Sequence, residues 1–207
     1  MSVTVKICGI TNLEDARAAA DAGADALGFI FYDASPRAVS IETVAQITRE
    51  LLPTIAKVGV FVNPEEDLVQ AAIARGGLNI LQFHGEESSD FCRQFGVMSM
   101  KAFRVRDTTS LAILSAYETD AFLLDSYVAG KPGGTGELFN WDLAVEAKQF
   151  GKPIFLAGGL TPENVAAAVL HVRPFGVDVS SGVEERPGKK DHGKLKEFIA
   201  AVKNGTI

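Results

Sequence analysis

Strand-like and helix-like segments alternate along the chain from end to end, and this alternation restricts the fold more than any single motif. Apolar, partly β-branched runs bounded by polar residues predict strands from Val3 to Cys8, Ala26 to Phe31, Lys57 to Val62, Ile80 to Phe83, Ser99 to Phe103, Ala121 to Leu124, Pro153 to Leu156 and Gly176 to Val179. Helical patterns lie between them: Leu13 to Ala22, Ile41 to Leu52, Pro64 to Ala74, Ser88 to Phe95, Leu111 to Tyr117, Trp141 to Phe150, Pro162 to Leu170 and Asp191 to Lys203. Thr11 with Glu14 has capping-box spacing, and Asn63-Pro64 and Thr161-Pro162 each put a capping side chain before a proline. Strands separated by helices pair in parallel through crossovers. The 207 residues leave about 26 for each of eight units, a compact (β/α)8 TIM barrel. An open doubly wound sheet is the alternative, but no Gly-x-Gly-x-x-Gly follows the first strand.

Two strand ends near the C-terminus are rich in glycine and serine: Phe155-Leu156-Ala157-Gly158-Gly159-Leu160 and Val177-Asp178-Val179-Ser180-Ser181-Gly182. Glycines let backbone N–H groups approach an anion, a following helix adds its positive end, and serines add hydroxyl donors. On the seventh and eighth strands of a barrel, Gly158, Gly159, Ser180, Ser181 and Gly182 form a phosphate cradle; taken singly, each run also reads as a tight turn. No linker or low-complexity tract divides the chain, so residues 1–207 are read as one domain. The longest irregular stretch, Val128 to Phe139, holds Gly130-Lys131-Pro132-Gly133-Gly134-Thr135-Gly136 and reads as an active-site loop or a plain connection. It is not a P-loop, because proline follows Lys131 where Ser or Thr is needed.

A formal net charge of −6 gives no bulk attraction for nucleic acid or an anionic membrane, so an anion must be held by a local cluster and the partner is a small molecule. No apolar run has the length of a membrane span and the start of the chain carries no signal-peptide pattern, so the protein is expected in the cytoplasm. Two cysteines, Cys8 and Cys92, are too few for a disulfide framework. With three histidines, His84, His171 and His192, no divalent-metal cluster is expected. Exposed barrel faces fit a monomer or a homodimer equally.

Reactive groups of a barrel sit where strands end at its C-terminal face. Cys8 closes the first strand, and alternation puts Lys6 and Cys8 on one face with Val5 and Ile7 on the other. A nearby ammonium favours thiolate, so Lys6 is expected to bring Cys8 into the range of a general base; a buried, inert thiol is the other reading. Asp125 ends the sixth strand, where it can serve as an acid, a helix cap or a loop ion pair. Arg37, after the second strand, suits a bidentate clamp on a substrate carboxylate, or is a surface arginine. His84 ends the fourth strand as a supporting residue of the pocket or a structural one, Asp178 is read as orienting the serine loop, and Cys92 as buried in a helix.

Several segments, in their order, carry a resemblance: Lys6-Ile7-Cys8-Gly9-Ile10, Ser35-Pro36-Arg37, Gly59-Val60-Phe61, Gln82-Phe83-His84-Gly85, Leu124-Asp125-Ser126, Gly133-Gly134-Thr135-Gly136, Ala157-Gly158-Gly159-Leu160, and Asp178-Val179-Ser180-Ser181-Gly182-Val183-Glu184 followed by Pro187-Gly188-Lys189-Lys190-Asp191. Together they resemble the phosphoribosylanthranilate isomerases along essentially the whole chain. Two departures are conservative: Phe83 stands where a leucine is usual, and Asn140 where an aspartate is common. The resemblance implies a (β/α)8 barrel that carries out an Amadori rearrangement of a phosphoribosylanthranilate in tryptophan biosynthesis, without a redox cofactor. It further implies Asp125 as general acid, Cys8 as general base, Arg37 on the anthranilate carboxylate and the glycine and serine loops on the phosphate. A histidine-pathway isomerase of the same chemistry uses paired aspartates and two phosphate cradles, whereas here the first strand ends in Cys8 and one cradle is evident. A non-catalytic sugar-phosphate-binding barrel is the remaining alternative.

Overall fold

The computed structural model of the protein describes residues 2–126 and 140–205. Eight parallel strands close into a barrel in chain order: β1 Thr4–Cys8, β2 Ala26–Phe31, β3 Ala56–Phe61, β4 Ile80–Phe83, β5 Met98–Val105, β6 Ala121–Ser126, β7 Ile154–Leu156 and β8 Gly176–Val179. β1 pairs with both β2 and β8, which completes the ring and removes the open-sheet alternative. Outside it lie α1 Leu13–Ala22, α2 Ile41–Arg49, α3 Glu66–Gly76, α4 Ser89–Arg93, α5 Trp141–Ala147, α6 Val165–Val172 and α7 His192–Asn204. A 3-10 helix, Thr108–Ala116, takes the place of a helix between β5 and β6.

The period of two along each strand sorts side chains between two cores. Val5, Ile7, Leu27 and Phe29 face outward into the layer shared with the helices, while Met100, Ala102, Ala121, Leu123, Phe155 and Ala157 form a separate cluster inside the barrel. The register pairs Ala102 with Leu123 and Arg104 with Asp125, so the parity of the interior carries through to the mouth and both Arg104 and Asp125 point inward there. By the same parity Lys6 and Cys8 are interior. Gly28 on β2 makes room for them: a Cβ there would sit 2.8 Å from Cys8 Sγ and 3.1 Å from Lys6 Nζ. At the opposite end, Asp25, Asn79 and Asp120 accept the N–H groups of Val5, Lys57 and Ser99, the second residues of β1, β3 and β5, which ties off the face that carries stability rather than chemistry.

Several helix starts differ from expectation. The cap of α1 is Asn12, which accepts from Asp15 N and donates its side-chain amide to Asp15 Oδ2; the cap is one residue later than Thr11 and Glu14 suggested. Thr11 instead donates its hydroxyl to Gly188 O. Asn63 is not a cap, because it adopts a positive φ of 46° and its Oδ1 accepts from Glu86 N, bridging to the loop after β4. α3 therefore begins at Glu66. Before α6, Asn164 folds back onto Thr161 N, and the helix starts at Val165. The 3-10 helix follows from its own sequence: Leu111 and Leu114, three residues apart, are its two buried positions, and Asp107 with Ser110 forms its capping box.

Asn140 caps α5 as a polar residue there should, accepting from Asp142 N. Phe83 is fully buried, with its ring near those of Phe61, Phe91 and Phe95. A short hairpin not foreseen from the sequence, β9 Glu184–Arg186 with β10 Lys189–Lys190, follows β8. The stretch from Val128 to Phe139 read as an active-site loop lies outside the described residues.

Candidate active site

The C-terminal ends of the strands surround a cavity of about 470 Å³. Its wall brings together residues far apart in the chain: Cys8, Arg37, His84, Asp125, Gly158, Gly159, Asp178, Ser180, Ser181 and Gly182 all line it. Lys6 lies one interior layer below, fully buried, and supports the floor.

The glycine and serine loops after β7 and β8 lie side by side in the cavity wall. Gly158 and Gly159 take positive φ angles of 82° and 67°, a left-handed pair that side chains resist, and the turn they make is held when Asn164 Nδ2 donates to Gly159 O. Gly182 begins where the second loop passes under the first. A Cβ on it would lie 1.9 Å from Leu160 O, so only glycine lets the two loops touch. Ser180 Oγ is buried without a hydrogen-bond partner among the described residues, and it faces the space beside Gly9 and Arg37. An orphaned hydroxyl beside a glycine cradle suits an anion oxygen.

At the other side of the mouth, Asp125 is 7% exposed and its Oδ2 lies 3.6 Å from His84 Nε2. His84 thus stands beside the carboxylate in the cavity wall. Arg104, in register with Asp125, adds a cation at the mouth that sequence reasoning missed; its interior parity is the signal that marks it.

The base half departs from expectation. Lys6 Nζ is 2.6 Å from Asp178 Oδ1, and both are buried. Asp178 is therefore a strand residue committed to Lys6, not an orienter of the serine loop. Burial works to lower the Lys6 pKa, but the Asp178 carboxylate raises it further, so the pair is ionic. For Cys8, burial pushes the thiol above its ordinary value of 9.0, and Lys6 and Lys190 only partly offset this while Asp178 adds to the rise. Lys6 alone does not bring Cys8 into the range of a base at neutral pH: its charge lowers the thiol's pKa, but burial raises it by more and Asp178 adds to the rise. Cys92, the buried residue of α4, is pushed up to about 12 chiefly by burial; it is buried in a helix, as read from the sequence.

Arg37 also differs. Its Nε and Nη2 donate to Glu184 Oε1 and Oε2 at 2.8 and 2.6 Å, so the bidentate edge expected to meet a substrate carboxylate is already occupied. The sequence did not reveal Glu184 or Lys190, whose partners are set by the β9–β10 hairpin. Lys190 is fully buried and donates to Cys8 O, Ser180 O and Glu184 Oε1 at 2.6, 3.1 and 3.0 Å. It fastens the end of β1 to the end of β8.

The fold and the cavity define a (β/α)8 barrel whose mouth holds a thiol and a carboxylate set apart around a pair of glycine- and serine-rich loops. A family model described as N-(5'-phosphoribosyl)anthranilate (PRA) isomerase matches residues 5–201. The N-(5'-phosphoribosyl)anthranilate isomerase of Geotalea uraniireducens is 55% identical over 199 residues, which are 96% of this chain and 98% of that one. Among solved structures, phosphoribosyl anthranilate isomerase from Thermotoga maritima superposes with a TM-score of 0.92 at 43% identity, covering 98% of this chain and 99% of that one. A phosphoribosyl anthranilate isomerase in complex with reduced 1-(o-carboxyphenylamino)-1-deoxyribulose 5-phosphate does so at 0.89 and 42%, with the same coverage. The chain belongs to the N-(5'-phosphoribosyl)anthranilate isomerase family.

Proposed function

We propose that Cys8 and Asp125 are the base and the acid of this chain's reaction. The protein is an intramolecular aldose–ketose isomerase of tryptophan biosynthesis: it carries out the Amadori rearrangement of N-(5-phosphoribosyl)anthranilate to 1-(o-carboxyphenylamino)-1-deoxyribulose 5-phosphate. Asp125 donates a proton to the ribose ring oxygen, and the C1′–O bond breaks as the anilino nitrogen forms an iminium. Cys8, as thiolate, then takes the proton from C2′. The electron pair of that bond neutralises the iminium to give an enolamine, which gains a proton at C1′ while the C2′ hydroxyl becomes the ketone.

One observation carries this reading. β7 and β8, which bear the glycine and serine loops, lie between β6 and β1 in the closed ring, so a sugar whose phosphate rests in those loops has Asp125 on one flank and Cys8 on the other. Arg37, on the Cys8 side, takes the anthranilate carboxylate with the N–H groups that Glu184 leaves over. The raised Cys8 pKa means that the thiolate is a minor form in the free site; loss of the thiol proton is favoured by the neighbouring charges of Lys6 and Lys190.

Among the described residues no helix is long and apolar enough to cross a membrane. A monomer and a homodimer both accommodate a site built from one barrel mouth.

Turnover of freshly prepared phosphoribosylanthranilate by the purified protein, with the product identified, tests the reading. The carboxyphenylamino-deoxyribulose phosphate should accumulate catalytically. Tight binding of that product without turnover would leave a sugar-phosphate-binding barrel in its place.

A further inference from the structure

Arg37, Glu184 and Lys190 form a chain of charges that runs from the buried Lys190 and Glu184 to the cavity wall. Glu184 accepts both forked donors of Arg37 and a third bond from Lys190, so one carboxylate faces two cations. The three acceptors around Lys190 Nζ, two of them carbonyls, use every proton of an ammonium. Glu184 is held below the usual carboxylate range: burial opposes its charge, but the Arg37 hydrogen bonds and Lys190 more than compensate. The triad therefore carries one net positive charge, and the N–H groups left over all belong to Arg37. These are both protons of Nη1 and one of Nη2, the end of the guanidinium opposite its Nε.

Arg37 lines the cavity, and its side chain is 17% exposed against 4% for Glu184. A planar fork pinned on one edge presents its other edge in one orientation. We propose that Glu184 is the positioning residue that sets the enzyme's preference for a substrate bearing an aryl carboxylate, by fixing the end of Arg37 that receives it. The inference rests on the assignment of Arg37 to that carboxylate. Glu184 touches no reacting atom and makes the anion site specific by taking the alternative edge away.

The test compares two stable ligands, the reduced product and the same compound without its carboxylate, by calorimetric titration of the intact protein. In wild type the carboxylate should tighten binding about 10- to 100-fold, the range of a charge-assisted hydrogen-bonded pair. Arg37→Ala should bring the ratio of the two affinities close to one. Glu184→Gln, which retains Arg37 but not its ionic fork, should reduce the ratio to about threefold or less. A general loss of structure would weaken both ligands alike and leave the ratio intact. Should the single variant not fold with two unbalanced cations, Glu184→Gln combined with Lys190→Gln restores the triad's net charge, and the same fall in ratio is expected. A wild-type ratio in a folded Glu184 variant overturns the inference, and a wild-type ratio in Arg37→Ala overturns the carboxylate assignment beneath it.

Discussion

Lys6 Nζ lies 2.6 Å from Asp178 Oδ1, one interior layer beneath the Cys8 thiol. The pair tunes a thiol that burial has already pushed up. Lys6 lowers the Cys8 pKa and Asp178 raises it, on top of a larger rise from burial. Alkylation by iodoacetamide, followed against pH, should give a midpoint for Cys8 above 9.0. Lys6→Met removes a group that favours thiolate and should move the midpoint higher still; Asp178→Asn removes one that opposes it and should move the midpoint lower. Equal midpoints in all three proteins would show that this pair does not tune the thiol. Cys92, at about 12, stays unreactive across the same range.

The two cradle loops touch where Gly182 meets Leu160 O, at a place with no room for a methyl group. Gly182→Ala forces the loops apart and should destabilise the protein by about 1–3 kcal/mol, as overpacking does. Affinity for inorganic phosphate, measured by calorimetry, should fall at least about tenfold, since the backbone donors of the two loops no longer converge. Unchanged phosphate binding would separate the cradle from the anion.

A second buried ion pair supports the acid side. Lys101 Nζ sits 2.9 Å from Glu87 Oε2 and also donates to Gly85 O, while the same carboxylate accepts from Gly85 N and Asn63 N. These bonds hold the turn that follows His84. Lys101→Met leaves Glu87 buried without its counter-charge and should cost about 3–5 kcal/mol in denaturant unfolding. Adding Glu87→Gln to it should recover a large part of that loss, because no bare charge remains. A strictly additive pair would contradict the coupling.

The barrel was legible because each strand and helix follows its own period, and closure needs only eight such units in order. Cys8, Asp125 and the glycine loops were legible for the same reason: they sit at strand ends, and position alone brings them to one mouth. What the sequence could not supply was the pairing of charges. Lys6 is as close to Cys8 by alternation as by structure, yet burial of the thiol outweighs its charge, and Asp178, more than a hundred residues away in the chain, opposes it through the β1–β8 register. Glu184 and Lys190 lie within the segment from Asp178 to Asp191 that carries part of the family resemblance, but their partners depend on a short hairpin that carries them back over the end of β1. The shifted caps of α1 and α3 have a simpler cause: Thr11 and Asn63 found partners in neighbouring loops.

The division of labour between Cys8 and Asp125 is tested most directly by the turnover numbers of Cys8→Ala and Asp125→Asn, each measured beside the variant's affinity for the reduced product. Each variant should lose about 10²- to 10⁴-fold in kcat, the usual contribution of a general acid or base, while product affinity stays within about threefold of wild type. Turnover within about tenfold of wild type in either variant would contradict the assignment of that residue.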